Sequence, residues 1–272
     1  MGFQPITRSI VQGSGLGPML FIALAKKLKT LSKNNSLSKY ADDTSLLVPQ
    51  NSDTSIETEF QHVLNWSRDA KLILNANKTK EIIFWRTGQQ MKKHKIPLMD
   101  GIERVEKVVL LGVVLTSQLS WTMHVDFILS IVSQRFYLLN KLKHMSLIQA
   151  SLTNLFQALV ISRVLYALPA FSGSLKQSDR DRLDAMFRKA KRWGLTSLLF
   201  DFSVISATAD SKLFFNIVSN NKHCLPQFLP SKKEPSKYNL RKSKLFSLTL
   251  IHDCKFTCSF IYRCCSTQAA LY

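Results

Sequence analysis

Cysteine is absent from the first 223 residues of this 272-residue chain; Cys224, Cys254, Cys258, Cys264 and Cys265 all fall in the last 49. Five thiols cannot all pair with one another. The opening MGFQPITRSIVQGSG places Gln, Pro and Arg where an export signal needs an apolar stretch. Neither a disulfide framework nor secretion is therefore expected. Reduced thiols in an intracellular setting are, with nucleus and cytoplasm not distinguished. No run of about 18 apolar residues is present, so no membrane span is expected. The longest apolar candidate, Val108 to Leu115, has strand length and is interrupted by Gly112. No internal repeat is visible. Acidic residues are scarce and late: no Asp or Glu precedes Asp42.

Hydrophobic content of 46% and charged content of 20% imply a packed core and exclude wholesale disorder. The formal net charge is +19. Residues 1–118 carry 16 Lys/Arg against 10 Asp/Glu, residues 119–195 carry 11 against 4, and residues 196–272 carry 10 against 4. The excess is spread along the chain and is not a basic tail, which points to an extended polyanion such as nucleic acid.

Periodicity divides the chain into a mixed part, a helical part and a tail. Pro18 suits the first turn of a helix that MLFIALAKKLKTL can continue. Leu37–Ala41 and Thr44–Val48 flank Asp42-Asp43 as the arms of a hairpin. Thr54 and Glu57 match a capping box ahead of a helix whose Ile56, Phe60, Val63 and Leu64 share a face. KLILN and KEIIFW are predicted strands around ANKT, followed by the basic loop RTGQQMKKHK. VVLLGVVL is a further strand region. From Val125 the apolar positions Ile128, Leu129, Val132, Phe136 and Leu139 keep a 3.6-residue period. SDRDRLDAMFRKAKRWG is a polarised helix: Ser178 as cap, acids first, bases last, Gly194 as terminator. Beyond Pro226 a polar, basic segment leads into a tail with no clean period.

Asp42 and Asp43 are hard oxygen donors of the kind Mg²⁺ takes, and paired ions can stabilise both oxygens of a phosphoryl displacement. Asp is equally at home in an ordinary turn. Four motifs in order add weight: Gln12-Gly13-Ser14-Gly15-Leu16-Gly17-Pro18, Tyr40-Ala41-Asp42-Asp43, Asn75-Ala76-Asn77-Lys78-Thr79 and Leu111-Gly112. In this order and spacing the chain resembles the reverse transcriptases of non-LTR (LINE-type, jockey-like) retrotransposons. SQRFYLLNKLK, SRVLYALPAF and FRKAKRWG resemble the thumb region of the same elements.

The resemblance implies an α+β fold. A partial polymerase palm, a small antiparallel sheet with the YADD hairpin and packed helices, would span 1–118. A helical thumb (119–195) and an irregular connector and tail (196–272) would follow. It implies template-directed addition of dNTPs to a primer 3′ end with Mg²⁺, and as partners an RNA template, a DNA primer and dNTP, with no membrane. Asp42 and Asp43 would hold metal and Tyr40 would pack beneath the primer end. Gln12 and Gly13 would lie against template and nucleotide. Lys78 would neutralise the leaving pyrophosphate, with Lys80 as the competing lysine. Leu111 and Gly112 would grip the primer, unless Gly112 simply marks a turn or bulge. The third carboxylate of such sites lies upstream of the QGS loop, and none of the 11 residues before Gln12 is acidic. The expectation is thus an inactive fragment of an RNA-directed DNA polymerase; the alternative is a non-catalytic basic nucleic-acid-binding module. The tail cysteines with His223 and His252 are spaced poorly for zinc, so buried or free thiols are expected there. Trp66, Trp85, Trp121 and Trp193 are expected to pack, and His62, His124 and His144 to be structural or superficial.

Overall fold

The computed structural model describes residues 15–85, 96–231, 246–248 and 253–267. The chain folds as two compact units. One holds the residues up to Glu81 with Ile96–Arg104; the other holds Ile82–Lys95 and everything from Val105 on. The mixed α+β class is observed, and the strands form three separate pairs.

In the first unit, α1 (Gly17–Ala25) carries Pro18 in its first turn, as its fixed φ favours. The helix stops at Ala25, short of the predicted Leu31. There the Lys39 Nζ binds carbonyls at and just past its end, donating to Ala25 O at 2.6 Å and Leu28 O at 2.5 Å. β1 (Ser36–Tyr40) and β2 (Asp43–Leu47) form the expected antiparallel hairpin. α2 (Ile56–Asp69) is capped one residue later than the sequence pattern suggests: the Ser55 hydroxyl accepts from Thr58 N at 3.2 Å. Of the two predicted strands around ANKT, only Lys80–Glu81 (β3) enters a ladder, in parallel with β4 (Glu103–Arg104). KLILN stays irregular. It finds no ladder partner among the described residues, and Ile73 is 98% exposed. The loop RTGQQMKKHK lies outside the described residues.

One buried acid of this unit is not marked by any sequence pattern. Glu59, in the first turn of α2, is fully buried. Its carboxylate accepts from Ser32 N at 2.9 Å, Leu31 N at 3.1 Å and Asn35 Nδ2 at 2.7 Å. Burial alone would raise its carboxyl, but these donors together hold it below the usual carboxylate range. Residues 31–35, which lead into β1, are thereby tied to α2.

In the second unit, β5 (Lys107–Leu110) and β6 (Val113–Thr116) form another antiparallel hairpin. α3 (Thr122–His144) buries the anticipated Val125, Ile128, Val132, Phe136 and Leu139. α4 (Gln149–Phe156) runs through a π-helical turn at Gln157–Ile161 into α5 (Ser162–Leu165). The wider turn frees carbonyls from the helix ladder, and the Arg135 guanidinium donates to Leu159 O. After left-handed Ala167 come α6 (Leu168–Phe171) and a 3₁₀ turn, Ser172–Ser174. The stretch Gln149–Ser174 is long and apolar enough to cross a membrane by length and composition. Its Leu152, Phe156, Val160, Val164, Leu168 and Phe171 belong instead to the core that α3 and α7 complete.

α7 (Gln177–Arg192) starts without a side-chain cap, so Ser178 lies inside the helix and is not its cap. Asp179 in the first turn is buried and accepts from Thr122 Oγ1 at 2.8 Å. Gly194 ends the helix at φ +65°, and Leu195 N closes back on Ala190 O at 3.0 Å. α8 (Phe202–Ser219) has no clear sequence signal, because its apolar positions are spread around the helix. Asp201 caps it, accepting from Val204 N at 3.1 Å. α9 (Cys254–Thr257) and α10 (Phe260–Thr267) close the described chain. Arg263 binds Asp210 of α8 at 2.8 Å and Cys258 O at 2.7 Å beside Gly173, where a Cβ would collide with the guanidinium. Cys264 and Cys265 are buried, and burial pushes their thiols up to about 12 and about 11. Among the described residues no cluster of three metal-ligating side chains occurs.

His124 sits 1% exposed under the β5–β6 hairpin, accepting from Val114 N at Nδ1 (3.3 Å) with its ring edge-on to Phe171. Burial, helped by the charge of Arg163, pushes its value down to about 4. The unfolded chain therefore takes up this proton first, near pH 6.5. Stability present above that pH falls on acidification toward about 4, by about 1–2 kcal/mol at pH 5. Thermal melts at pH 7 and pH 5 should show this loss, and His124→Leu should flatten it while lowering stability at pH 7. Glu59→Ala strands two buried donors and a part-buried one and should destabilise the first unit by about 2–4 kcal/mol in urea titrations.

Candidate active site

The β1–β2 register pairs Tyr40 with Asp43, leaving Ala41-Asp42 as a two-residue turn. Two-residue hairpin loops need left-handed backbone, and Ala41 supplies it at φ +51°. The sequence permits this because Ser36, Leu37, Ser38, Lys39 and Tyr40 alternate in exposure along β1. Leu37 and Lys39 turn inward, and the Lys39 bonds to the end of α1 hold the arm in place. Partial burial lowers the Lys39 value, consistent with its role as a structural tie.

Asp42 lies in the turn and Asp43 at the head of β2, and both are exposed. Tyr40, across from Asp43, is 68% exposed. Of the other acids of α2 and its approach, Glu57 and Asp69 are exposed, whereas Glu59 and Asp53 are already engaged. Glu59 is spent on backbone amides, and Asp53 accepts from the Ser32 hydroxyl, which holds its carboxyl low. Asp42 and Asp43 supply oxygen donors suited to Mg²⁺ on an accessible turn. Two ions held for an in-line displacement need ligands converging from more than one backbone position. Among the described residues no third ligand joins the pair. The residues present do not fit a two-ion site, and no chemical step follows from them alone.

Asn75–Thr79 forms a turn in which Thr79 N donates to Asn75 O at 3.0 Å and Lys78 N to the Asn75 side chain at 3.2 Å. Asn75 thus shapes the segment. Lys80 forms an ion pair with Glu103 on β4, whereas the exposed Lys78 has no carboxylate partner among the described residues. Of the two competing lysines, Lys78 is the one available to a ligand. Gln12 and Gly13 lie outside the described residues.

Leu111-Gly112 belongs to the second unit. It is the two-residue turn of the β5–β6 hairpin, with φ +47° at Leu111 and +78° at Gly112. Gly112 therefore marks a turn and not a bulge. The Tyr166 hydroxyl donates to Leu111 O at 2.6 Å and fixes the tip onto α5.

The same unit concentrates positive charge. Thr122–Asp179 and Asp126–Arg182 (2.5 Å) join the first turns of α3 and α7. Lys143 Nζ–Trp193 O (2.7 Å) and the Phe136–Trp193 ring contact join their ends. The helices therefore run in the same direction, and their C-termini meet. Lys141, Lys143, Arg188, Lys189, Lys191 and Arg192 are all exposed or half-buried there, and neither helix has an acid after Asp126 or Asp184. Two helix termini offer roughly one negative charge between them. Six cations exceed that several-fold, so dipole complementarity alone does not account for them. Lys141 lies 4.9 Å from the Tyr137 ring centre and Lys189 4.4 Å from that of Trp193.

Neither the curated proteins nor the solved structures gave a match to the chain. Residues 2–115, a span that includes Gln12, Gly13, the Tyr40–Asp43 turn, Lys78 and Leu111-Gly112, match the family model of the reverse transcriptases (RNA-dependent DNA polymerases).

Proposed function

We propose that residues up to about 118 are the YADD-bearing part of a reverse transcriptase palm of the non-LTR, LINE-type retrotransposons, followed by a thumb that holds nucleic acid. The observation that carries this reading is the exposed Tyr40-Ala41-Asp42-Asp43 turn within the span matching the reverse transcriptase family. Asp42 and Asp43 would then be two of the carboxylates that hold Mg²⁺ once an opposing ligand completes the site. Tyr40 flanks the primer terminus, Lys78 offers its ammonium to the triphosphate, and Gln12 and Gly13 lie along template and nucleotide. Leu111-Gly112 meets the primer strand. The partners are an RNA template, a DNA primer and dNTP. Since residues 1–41 contain no Asp or Glu, these 272 residues lack the opposing carboxylate and bind without extending.

The joined basic ends of α3 and α7 favour a second reading, a nucleic-acid-binding module that needs no catalysis. The two readings separate experimentally. With an RNA template, a DNA primer, dNTPs and Mg²⁺, the 272-residue chain should give no primer extension above the no-protein background. Extension that disappears in Asp42→Ala would refute the inactive reading and establish the enzyme. Binding of the same hybrid should be unchanged by Asp42→Ala and Asp43→Ala at near-neutral pH. Replacing Lys189, Lys191 and Arg192 together with Gln should weaken binding and reduce the slope of log K against log salt by about 2–3. An unchanged slope would remove the α3–α7 end from the interface.

A further inference from the structure

Arg163 on α5 is the cation whose surroundings leave it least satisfied. Its guanidinium lies over the Phe127 ring (5.2 Å) and the Tyr166 ring (5.7 Å). Its Nε is buried with no hydrogen-bond partner, and no carboxylate pairs with it among the described residues. The neighbouring His124, pushed toward its neutral form, neither repels nor pairs with it. A Cβ on Gly112 would come within 4.0 Å of Arg163 Nη1 and 3.5 Å of the Tyr166 ring. The guanidinium therefore lies against the turn of the β5–β6 hairpin. Two aromatic faces and Tyr166's bond to Leu111 O hold it there.

A bracing role for Arg163 is the simpler explanation, but the chemistry is wrong for a brace. A half-buried charge without a partner is a poor way to support a hairpin, since an unbranched apolar side chain of similar length would fill the same space without losing hydration. A planar guanidinium pre-oriented by aromatic stacking and lacking a carboxylate is what an incoming phosphate requires. The chain's +19 net charge makes an internal anion scarce and an external one welcome.

We propose that Arg163, presented beside the Leu111-Gly112 turn, binds a phosphodiester of the nucleic-acid strand that passes this hairpin. The inference rests on the nucleic-acid reading above and assigns it a specific contact.

The test uses the full chain, a fluorescein-labelled RNA/DNA hybrid with a recessed 3′ end, and Arg163→Met. Met keeps the apolar stem and removes the charge, so the melting temperature should hold or rise. Affinity should fall about tenfold at moderate salt, and the slope of log K against log salt should drop by about one. Affinity and slope equal to the parent chain overturn the proposal. If R163M melts at a lower temperature, Arg163→Lys decides. It keeps the charge and loses the planar stack, so a restored slope supports the phosphate contact and a slope as low as that of R163M overturns it. Binding of dTTP measured in parallel should be unaffected by R163M; a loss confined to dTTP means the anion is a triphosphate and also overturns the proposal. If the parent chain does not bind the hybrid at all, the nucleic-acid reading fails first, a result distinct from binding with an unaltered slope.

Discussion

Uncompensated charge is the constraint that orders this molecule. Thirty-seven cations face eighteen anions, and those anions are largely committed inside the fold. Glu59 holds the loop before β1, Asp179 ties α7 to α3, Asp184 accepts from Phe202 N at 2.9 Å, and Asp210 holds Arg263. Spending acids on backbone amides and helix starts leaves the cations at helix ends without partners. The parallel course of α3 and α7 then gathers six of them at one end. Antiparallel helices with the same sequences would have set acids against bases and cancelled much of that field.

The exposed, adjacent pair Asp42-Asp43 is not committed in this way, and its position follows from the same electrostatics. Adjacent carboxylates repel, and in a low dielectric the repulsion grows steeply. A two-residue turn keeps both in water, where the cost is small. It also keeps them open to a cation, and that accessibility separates them from Asp53 and Glu59, whose oxygens are taken. The same electrostatics limit what they can do. Without a ligand converging from another strand, a bound ion at this turn would keep most of its water and have no fixed place relative to a substrate.

Much of this is readable in the sequence, for identifiable reasons. The hairpin arms, the α2 face and the α3 stripe are visible because period-2 and period-3.6 patterns reflect burial directly. Lys78 cannot be told from Lys80 because the choice depends on Glu103, 23 residues beyond Lys80 and pairing across a parallel bridge. KLILN looks like a strand because alternation records facing, whereas a ladder also needs a neighbour. α8 escapes detection because Val204 and Phe215 stand on its exposed face and Ser206 on its buried one, so hydropathy does not follow burial there. Glu59 is overlooked for the opposite reason. A glutamate on an amphipathic helix is ordinarily solvated, and only the fold of residues 31–35 makes it a buried acceptor. Arg163 is of the same kind: nothing in SRVLYAL reveals that its charge will lack a partner.

The two hairpin turns sharpen the distinction between a turn and a site. Both are two-residue loops that demand left-handed backbone. At the second, Leu111 and Gly112 share the demand at φ +47° and +78°, and Tyr166 holds the tip. At the first the demand falls on Ala41, where a left-handed alanine costs about 1 kcal/mol relative to glycine. Gly, Asn or Asp at position 41 would make the better turn. Alanine is the choice that adds neither a charge nor a hydrogen-bonding group beside Asp42, while still stiffening the backbone more than glycine would. Left-handed strain is common to both turns, since Leu111 bears it too, and what sets the first apart is the pair of exposed carboxylates that Ala41 leaves uncrowded.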